Sequence, residues 1–225
     1  PYGWIAVPSG PIMGGSSDLM IDVFGKGGHA ARPDLTIDPL YIASQIIVAV
    51  QSVISRSISP TQSAVVSITQ IEASDRRNII ANKVSMAGTI RWFDIQTRDS
   101  IKSRIEMIAK GIAASFGAEA QVQFAESTIP VKNDPFVSGV CRQIIEDMRV
   151  DNEKIIVDSN YKTNLSEDFA YITDNVPGAM LLIGAAQAVD GVLYPHHHSK
   201  FDIDENAMTL SVSVLLEVTK ALNLV

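Results

Sequence analysis

The order of hydrophobic periodicities between residues 18 and 127 is the feature that most constrains the fold. Four segments alternate polar and apolar residues or are rich in β-branched residues, as strands are, and two repeat apolar residues at helical spacing. In chain order these segments are strand 19–24, helix 40–54, strand 64–71, strand 84–93, helix 101–116 and strand 119–124. This order predicts a βαββαβ unit, a four-stranded sheet with two helices on one face.

Local signals mark the ends of both predicted helices. Asp38 followed by Pro39 is typical of a helix start, with aspartate as the N-cap and proline at the first helical position. Gly117 follows the second apolar stripe, where glycine commonly ends a helix.

The rest of the chain predicts part of a second, layered α/β domain. The predicted elements are a helix at 134–148, a strand at 155–157, a helical segment at 167–174, an apolar strand at 179–183 covered on both sides, and a helix from the Asp204 cap to about residue 222. Three strands or fewer make a poor sheet alone. We therefore predict an α/β fold: a partial α/β domain from residues 1–16 and 129–225, interrupted by an inserted βαββαβ (ferredoxin-like) domain at residues 17–128.

Composition narrows the classes of partner. A net charge of −7 argues against nucleic acid or an anionic membrane as a partner. Apolar runs such as residues 179–183 are too short to cross a bilayer. The single cysteine, Cys141, excludes an intrachain disulfide and is expected in a core. We expect a cytoplasmic protein whose natural N-terminus lies upstream of Pro1.

Four histidines, His29 and the run 196–198, are the candidates for chemistry. Residues 25–28 are glycine-rich but lack the spacing of a phosphate loop, so a tight turn is the simpler interpretation. Neighbouring residues of an extended chain point to opposite faces, so three consecutive histidines cannot all bind one metal. An exposed polar loop and a chelate of His196 with His198 both remain possible.

Taken together, the motifs resemble those of the metallopeptidase and amidohydrolase family that includes aminoacylases, hippurate hydrolase and indole-acetyl-amino-acid hydrolases. The resemblance covers essentially the whole chain. It is most specific at Gly-Lys-Gly-Gly-His-Ala-Ala-Arg-Pro, residues 25–33. The other matching segments are residues 1–13, 38–39, 77–80, 88–91, 133–134, 166–169 and 197–205. Ser199 and Ala81 stand where the family usually has proline.

The resemblance implies a role for five residues. His197, four positions before Phe201, is the expected metal ligand, and His29 is the expected catalytic residue, stabilising an oxyanion in the neighbouring subunit. Asn78 and Arg91 are expected to bind the substrate's carboxylate or carbonyl oxygen, and Glu167 is expected near the metal and substrate.

The function implied is metal-dependent hydrolysis of an amide bond in N-acyl amino acids or related small substrates. The expected cofactor is a divalent metal, zinc first, with manganese or cobalt as alternatives. The family's other ligands (a His-x-Asp motif, a Cys-Gly-His-Asp motif, a tandem Glu-Glu and one further His) are absent from this sequence, so the metal site is expected to be incomplete and the chain alone inactive. We expect a homodimer through the inserted lid domain, by the edge of its sheet or the helix of residues 39–54. A non-catalytic dimerisation module or a small-ligand-binding regulatory module is the alternative function.

Overall fold

The computed structural model describes residues 1–74, 76–151 and 154–222, which divide into two compact units. The first unit comprises residues 1–12, 131–163 and 168–225, and the second comprises residues 13–130 and 164–167. The main boundaries lie within four residues of the predicted ones, but residues 164–167 fall in the second unit instead of the first. In chain order the elements are β1 (Trp4–Ala6), β2 (Gly10–Met13), β3 (Gly15–Phe24), β4 (Gly28–His29), α1 (Pro39–Ser52), β5 (Val65–Glu72), β6 (Ile79–Ile80), β7 (Lys83–Trp92), α2 (Ile95–Ser115), β8 (Glu119–Thr128), β9 (Val131–Asn133), α3 (Pro135–Asp151), β10 (Ile156–Asp158), α4 (Ala170–Asn175), β11 (Leu182–Ile183), β12 (Ala188–Val189), β13 (Val192–Leu193) and α5 (Asn206–Ala221).

The second unit contains the predicted βαββαβ fold. Its four long strands form one antiparallel sheet in the order β5-β7-β3-β8, so this prediction is confirmed. On β3, Leu19, Ile21 and Val23 are buried in the core with α1 and α2, while Asp18 and Met20 are exposed on the other face. The alternation seen in the sequence therefore separates a face covered by helices from an open face.

Capping explains where the two helices of this unit begin. Asp38 caps α1, because its Oδ1 accepts the Leu40 N–H at 2.9 Å. α2 starts at Ile95, six residues before the predicted start at residue 101, with Asp94 accepting the Thr97 N–H at 2.8 Å. The early turns of α2 are largely polar and so gave no apolar stripe. Gly117, with a φ of 73°, follows α2 in the left-handed conformation expected after a helix end.

Helix α1 continues as a π-helical turn over Val53–Ser57. By length and composition the whole stretch Pro39–Ser57 is long and apolar enough to cross a membrane, which corrects the estimate made from short apolar runs. Core helices of soluble proteins also pass this test, so it is weak evidence. Here Ile42, Ile46 and Val50 are buried in the core of the second unit.

The first unit is built on a small sheet in the order β10-β1-β11, with β10 parallel and β11 antiparallel to β1. Its core joins Ile5 and Val7 to α3 and α5. Cys141 is buried here, and its burial raises the pKa of the thiol, as expected for a core residue. The predicted strand 179–183 was too long: only Leu182–Ile183 is a strand, and these residues are half-buried. The apolar run therefore did not indicate full burial of these residues.

A polar network ties α2 to three strands of the second unit, β3, β7 and β8. The Trp92 indole N–H donates to Ser17 Oγ at 3.1 Å, and Ser17 Oγ donates to Glu126 at 2.9 Å. Lys102 and Arg98, both on α2, form ion pairs with the same carboxylate. Partial burial acts to raise the pKa of Glu126, but the hydrogen bonds from Lys102 and Ser17 and the nearby positive charges outweigh it and lower the pKa.

We predict that Glu126→Gln destabilises the protein by about 1 kcal/mol at about pH 7, because it removes the charge that Lys102 and Arg98 share. A carboxylate with a lowered pKa stabilises the fold above the ordinary glutamate pKa of about 4.3 and loses this contribution as the pH falls through the folded-state pKa. The difference between the variant and the wild type should therefore shrink towards about pH 3. Urea denaturation at both pH values measures this difference in stability.

Glu106→Gln, which removes an exposed i,i+4 pair with Lys110, is the control and should cost only about 0.3 kcal/mol. Equal stability of Glu126→Gln and wild type at about pH 7 would contradict the prediction.

Candidate functional site

Two of the predicted site residues meet on a short ribbon of the second unit. Strand β4 pairs with β6, with His29 opposite Ile79. The Ala30 N–H donates to the Asn78 carbonyl at 3.1 Å. The backbone therefore places His29 and Asn78 beside each other, although they lie far apart in the sequence.

The His29 imidazole is exposed, and one of its nitrogens is already engaged. Its Nδ1 accepts the Ala31 N–H at 3.0 Å. A neutral imidazole has one donor and one acceptor nitrogen, so Nε2 carries the proton. His29 can thus offer an N–H to an oxygen atom outside the ribbon.

Glycines allow the chain before His29 to run against its neighbours. A Cβ at Gly25 would lie 2.2 Å from the Ile37 carbonyl oxygen, and a Cβ at Gly27 would lie 2.5 Å from that of Ile80. The Gly27 N–H also donates to Asn82 Oδ1 at 2.8 Å. Close approach of backbones, not phosphate binding, accounts for glycine at these two positions.

The loop with the three histidines gives each ring a different environment. His196 packs edge-to-face on Phe201, with ring centroids 4.9 Å apart. His198 stacks on Tyr194 at 4.4 Å, and its Nδ1 accepts the Lys200 N–H at 3.1 Å. Within the described residues the His197 ring has neither kind of contact.

The backbone also singles out His197. Its φ is 68°, and among the described non-glycine residues only Asp190 shares a positive φ. A side-chain residue in this left-handed region is held there at a local energetic cost, and such residues cluster at functional sites. His196 instead lines a cleft of about 430 Å³ with apolar side chains, including Leu193, Phe201 and Ile203. His197 therefore differs from its two neighbours in its backbone and in its ring contacts, and it stays the expected ligand.

Arg91 and Glu167 are linked through one short segment, residues 164–167. The Arg91 Nη1 group donates to Ser166 Oγ at 2.8 Å. The Gly14 N–H donates to the Leu165 carbonyl at 2.9 Å, which also attaches the segment to the start of β3. Glu167 therefore belongs to the second unit with His29, Asn78 and Arg91, whereas His197 belongs to the first.

The donors for a metal are few. No group of three histidine, cysteine, aspartate or glutamate side chains arranged to hold a metal ion occurs among the described residues. His197 supplies one suitable imidazole, which does not make a metal site by itself. The described part of the chain thus does not fit a complete catalytic metal centre.

Sequence reasoning missed Asn82 and Ser166. Asn82 accepts a hydrogen bond from the glycine-rich segment that leads to His29, and Ser166 accepts one from Arg91. Their roles arise from side-chain contacts between segments distant in sequence, which leave no periodicity. Ser166 did stand inside one of the motifs that carry the family resemblance, next to Glu167.

Comparison with known proteins places these features in a family context. Residues 13–116 match the M20 peptidase dimerisation domain. The chain is 32% identical over 220 residues to N-acetyl-L-cysteine deacetylase of Bacillus subtilis, covering 98% of this chain and 50% of that protein. It is 34% identical over 213 residues to thermostable carboxypeptidase 2 of Saccharolobus solfataricus, covering 93% of this chain and 52% of that protein. The YXEP protein of Bacillus subtilis, described as a dinuclear metal-binding peptidase of the M20 family, matches with a TM-score of 0.76 and 28% identity over 97% of this chain and 52% of that chain.

These matches confirm the resemblance to metal-dependent amidohydrolases and metallopeptidases. The α/β fold class is likewise shared with the solved structure. The chain spans about half the length of the curated relatives it matches.

We predict that Gly27→Ala destabilises the second unit by about 2 kcal/mol, because the added methyl group would press on the Ile80 carbonyl and separate β4 from β6. Chemical denaturation measures the loss, and amide exchange at Ala30 reports the opening next to His29. Gly111→Ala is the matched control: a Cβ there meets nothing within 4 Å and the position is inside α2, so alanine should stabilise by about 0.5–1 kcal/mol. A neutral or stabilising Gly27→Ala would refute the close-approach interpretation.

Proposed function

Because the chain is related to the M20 peptidases and amidohydrolases, we propose that it is the part of a metal-dependent amidohydrolase that carries the dimerisation domain and one metal-ligating histidine. The intact protein would hydrolyse an amide bond in N-acyl amino acids or related small substrates. The observation that carries this proposal is similarity along nearly the whole chain to enzymes named as a deacetylase and a carboxypeptidase. Both names denote cleavage of an amide bond. A cytoplasmic location stays a prediction, because neither the fold nor these names bear on it.

A divalent metal is the proposed cofactor, and His197 is its proposed ligand in this chain. The related YXEP protein is described as a dinuclear metal-binding peptidase, which supports this choice. When bound, such an ion polarises a carbonyl and activates a water molecule. Zinc is the expected ion because neutral imidazole suits it, with manganese or cobalt as alternatives. The remaining ligands and the general base would come from the half of the relatives' length that this chain does not match.

The ribbon residues have a role that their own geometry supports. His29 is exposed and its Nδ1 acts as an acceptor, which leaves Nε2 to donate a hydrogen bond to an oxygen on which negative charge develops. Asn78, exposed beside it, has amide N–H groups for a substrate oxygen. We propose that both contact the substrate in the neighbouring subunit's site. Arg91 already donates to Ser166, so a direct contact with substrate would use its other N–H groups, and Glu167 is proposed to lie near the substrate.

An exposed apolar stripe supports the proposal that the first unit is part of a larger domain. One face of α5 is buried in the core of the first unit, through Leu210 and Val214. Its opposite face exposes four large apolar side chains to between 51% and 59%: Met208, Val212, Leu215 and Leu216. A helix that is apolar on both faces is normally buried on both. We propose that the stripe packs against the half of the family's length that this chain does not match.

The dimerisation domain is the proposed contact between two copies. Helix α1 exposes Val48 to 71%, and the edge strand β5 exposes Ile71 to 47%. An unpaired strand edge beside exposed apolar side chains is a surface that another copy can cover. Either the helix or the edge would form the contact.

We predict that the 225-residue chain, supplied with zinc, manganese or cobalt, does not hydrolyse N-acyl amino acids, whereas a full-length protein containing it does. In that protein His197→Ala should lose both bound metal and turnover, because one ligand is removed. His196→Ala and His198→Ala should have mild effects, and they serve as matched controls from the same loop. His29→Ala should keep its metal but lower kcat by about 100-fold, the usual loss for one donor to a developing oxyanion.

Metal content by elemental analysis and steady-state kinetics measure these outcomes together. Turnover by the 225-residue chain equal to that of the full-length protein would contradict the proposed incompleteness. If His196→Ala lost its metal while His197→Ala retained it, the ligand would be His196 and not His197.

We predict that the protein is a dimer at about 10 µM and that Val48→Asp or Ile71→Lys shifts it to monomer, because a charge would be buried without a partner. Light scattering coupled to gel filtration measures the mass. Met107→Lys, which changes an apolar residue of α2 that is 64% exposed, is the control and should stay dimeric. A monomeric wild type would exclude both α1 and the β5 edge as the contact. So would a dimeric Val48→Asp together with a dimeric Ile71→Lys.

A further inference from the structure

A four-residue turn places Arg77 beside Asn78, directly before β6. The Ile79 N–H donates to the Arg76 carbonyl at 3.3 Å, so Arg77 and Asn78 occupy the two central positions of the turn. Ser74 holds the start of the turn, because its Oγ accepts the Arg76 N–H at 3.1 Å. The side chains of Arg77 and Asn78 therefore leave the backbone at neighbouring corners of one turn, and both are exposed.

This turn is fixed against the strand that carries His29. The Asn78 carbonyl accepts the Ala30 N–H at 3.1 Å, and Ile79 pairs with His29 across the ribbon. Paired strands lie only about 4.8 Å apart. Because arginine has a long side chain, the guanidinium of Arg77 can reach a molecule that is bound by His29 and Asn78.

Arg77 has no partner of its own in the part of the chain that the structure describes. Its side chain forms no hydrogen bond, ion pair or ring contact with a described residue. Arg32, which follows His29 on the other strand of the ribbon, differs in this respect, because Asp34 accepts two hydrogen bonds from it at 3.0 and 2.9 Å. The N–H donors of Arg77 are thus left for a ligand, and a planar guanidinium matches a carboxylate in geometry and in charge.

A cavity of about 460 Å³ in the second unit adjoins the turn and gives such a ligand room. Arg77 lines it together with Ile79, the residue paired with His29. The one carboxylate among its described lining residues, Asp38, already caps α1. Arg76 and Arg77 outnumber this acid, so the described lining is positive although the chain has a net charge of −7.

We propose that Arg77 is a specificity-determining residue that binds a second carboxylate of the substrate, beyond the one expected at Asn78 and Arg91. This inference rests on the proposed function, in which His29 and Asn78 contact the substrate, and it names the substrate class as N-acyl amino acids with two carboxylates. The second carboxylate belongs to a dicarboxylic acyl group, such as succinyl, or to an acidic amino-acid side chain. Both sources present the same group to Arg77.

Two pairs of compounds test this role, and within each pair a carboxylate is exchanged for a carboxamide. The first pair is N-succinyl-L-leucine with N-succinamoyl-L-leucine, and the second is N-acetyl-L-glutamate with N-acetyl-L-glutamine. Calorimetry measures their Kd on a full-length protein containing this chain, with its metal removed so that no turnover occurs. The wild type should bind the carboxylate of one pair at least about tenfold more tightly than the carboxamide, because hydrogen bonds between charged groups are the stronger ones. The pair that shows the preference identifies the source of the second carboxylate.

Three variants assign the preference to the Arg77 side chain. Arg77→Gln should remove it and leave the Kd of the carboxamide within about twofold of the wild-type value. Arg77→Lys should keep part of it, because lysine retains the charge but not the guanidinium fork. Arg104→Gln, which changes an exposed arginine of α2, is the matched control and should keep the full preference.

Steady-state kinetics on the metal-loaded enzyme give a second readout. Arg77→Gln should raise KM for the preferred dicarboxylate substrate by about tenfold and change kcat by less than about twofold. A wild type that prefers neither carboxylate, or an Arg77→Gln variant that keeps the preference, overturns the inference. So does an equal weakening of all four compounds in Arg77→Gln, which would show that Arg77 only maintains the turn. A wild type that hydrolyses none of the four defeats the proposed amidohydrolase function, while the calorimetric preference still decides the role of Arg77.

Discussion

The pairing of β3 with β7 is the constraint on which the second unit and its candidate site residues depend. The two strands are each ten residues long and are paired along their whole length, from Gly15 opposite Trp92 to Phe24 opposite Lys83. At one end the chain runs directly into the ribbon that carries His29 and Asn78. At the other end lie Arg91 and the attachment of residues 164–167. One antiparallel pair therefore fixes the distance between these two groups of polar residues.

This pairing also decides which side chains of β7 lie on the open face of the sheet. Because side chains alternate along a strand, a slip of one residue would turn Arg91 towards α1 and α2 and bring Ile90 to the open face. The buried side chains of β7 oppose such a slip, since it would expose Ile90 and Met86 to water. The hydrogen bonds among Trp92, Ser17 and Glu126 add a directional constraint that apolar packing alone does not supply.

How far the sequence predicts the molecule depends on whether the signal is local. Alternation on β3 and the Asp38 cap are local, and both agree with the structure. The start of α2 was predicted late because apolar spacing was used, although Asp94 three residues before Thr97 is a local capping signal. The strand predicted at residues 179–183 was too long. An apolar run indicates burial but does not specify which element covers it. For the site, motifs predicted roles for His29, Asn78 and His197, and these stay predictions. The contact of Arg91 with Ser166 joins distant segments and was not foreseeable from spacing.

The left-handed backbone at His197 has a consequence for how this position can change. Histidine is a poor choice there for folding, because glycine adopts that conformation without steric cost and asparagine tolerates it better than most residues. Neither replacement brings an imidazole. Selection for a more stable loop and selection for a nitrogen ligand therefore favour different residues at position 197. If position 197 holds the proposed ligand, the loop carries its imidazole at some expense to its own stability.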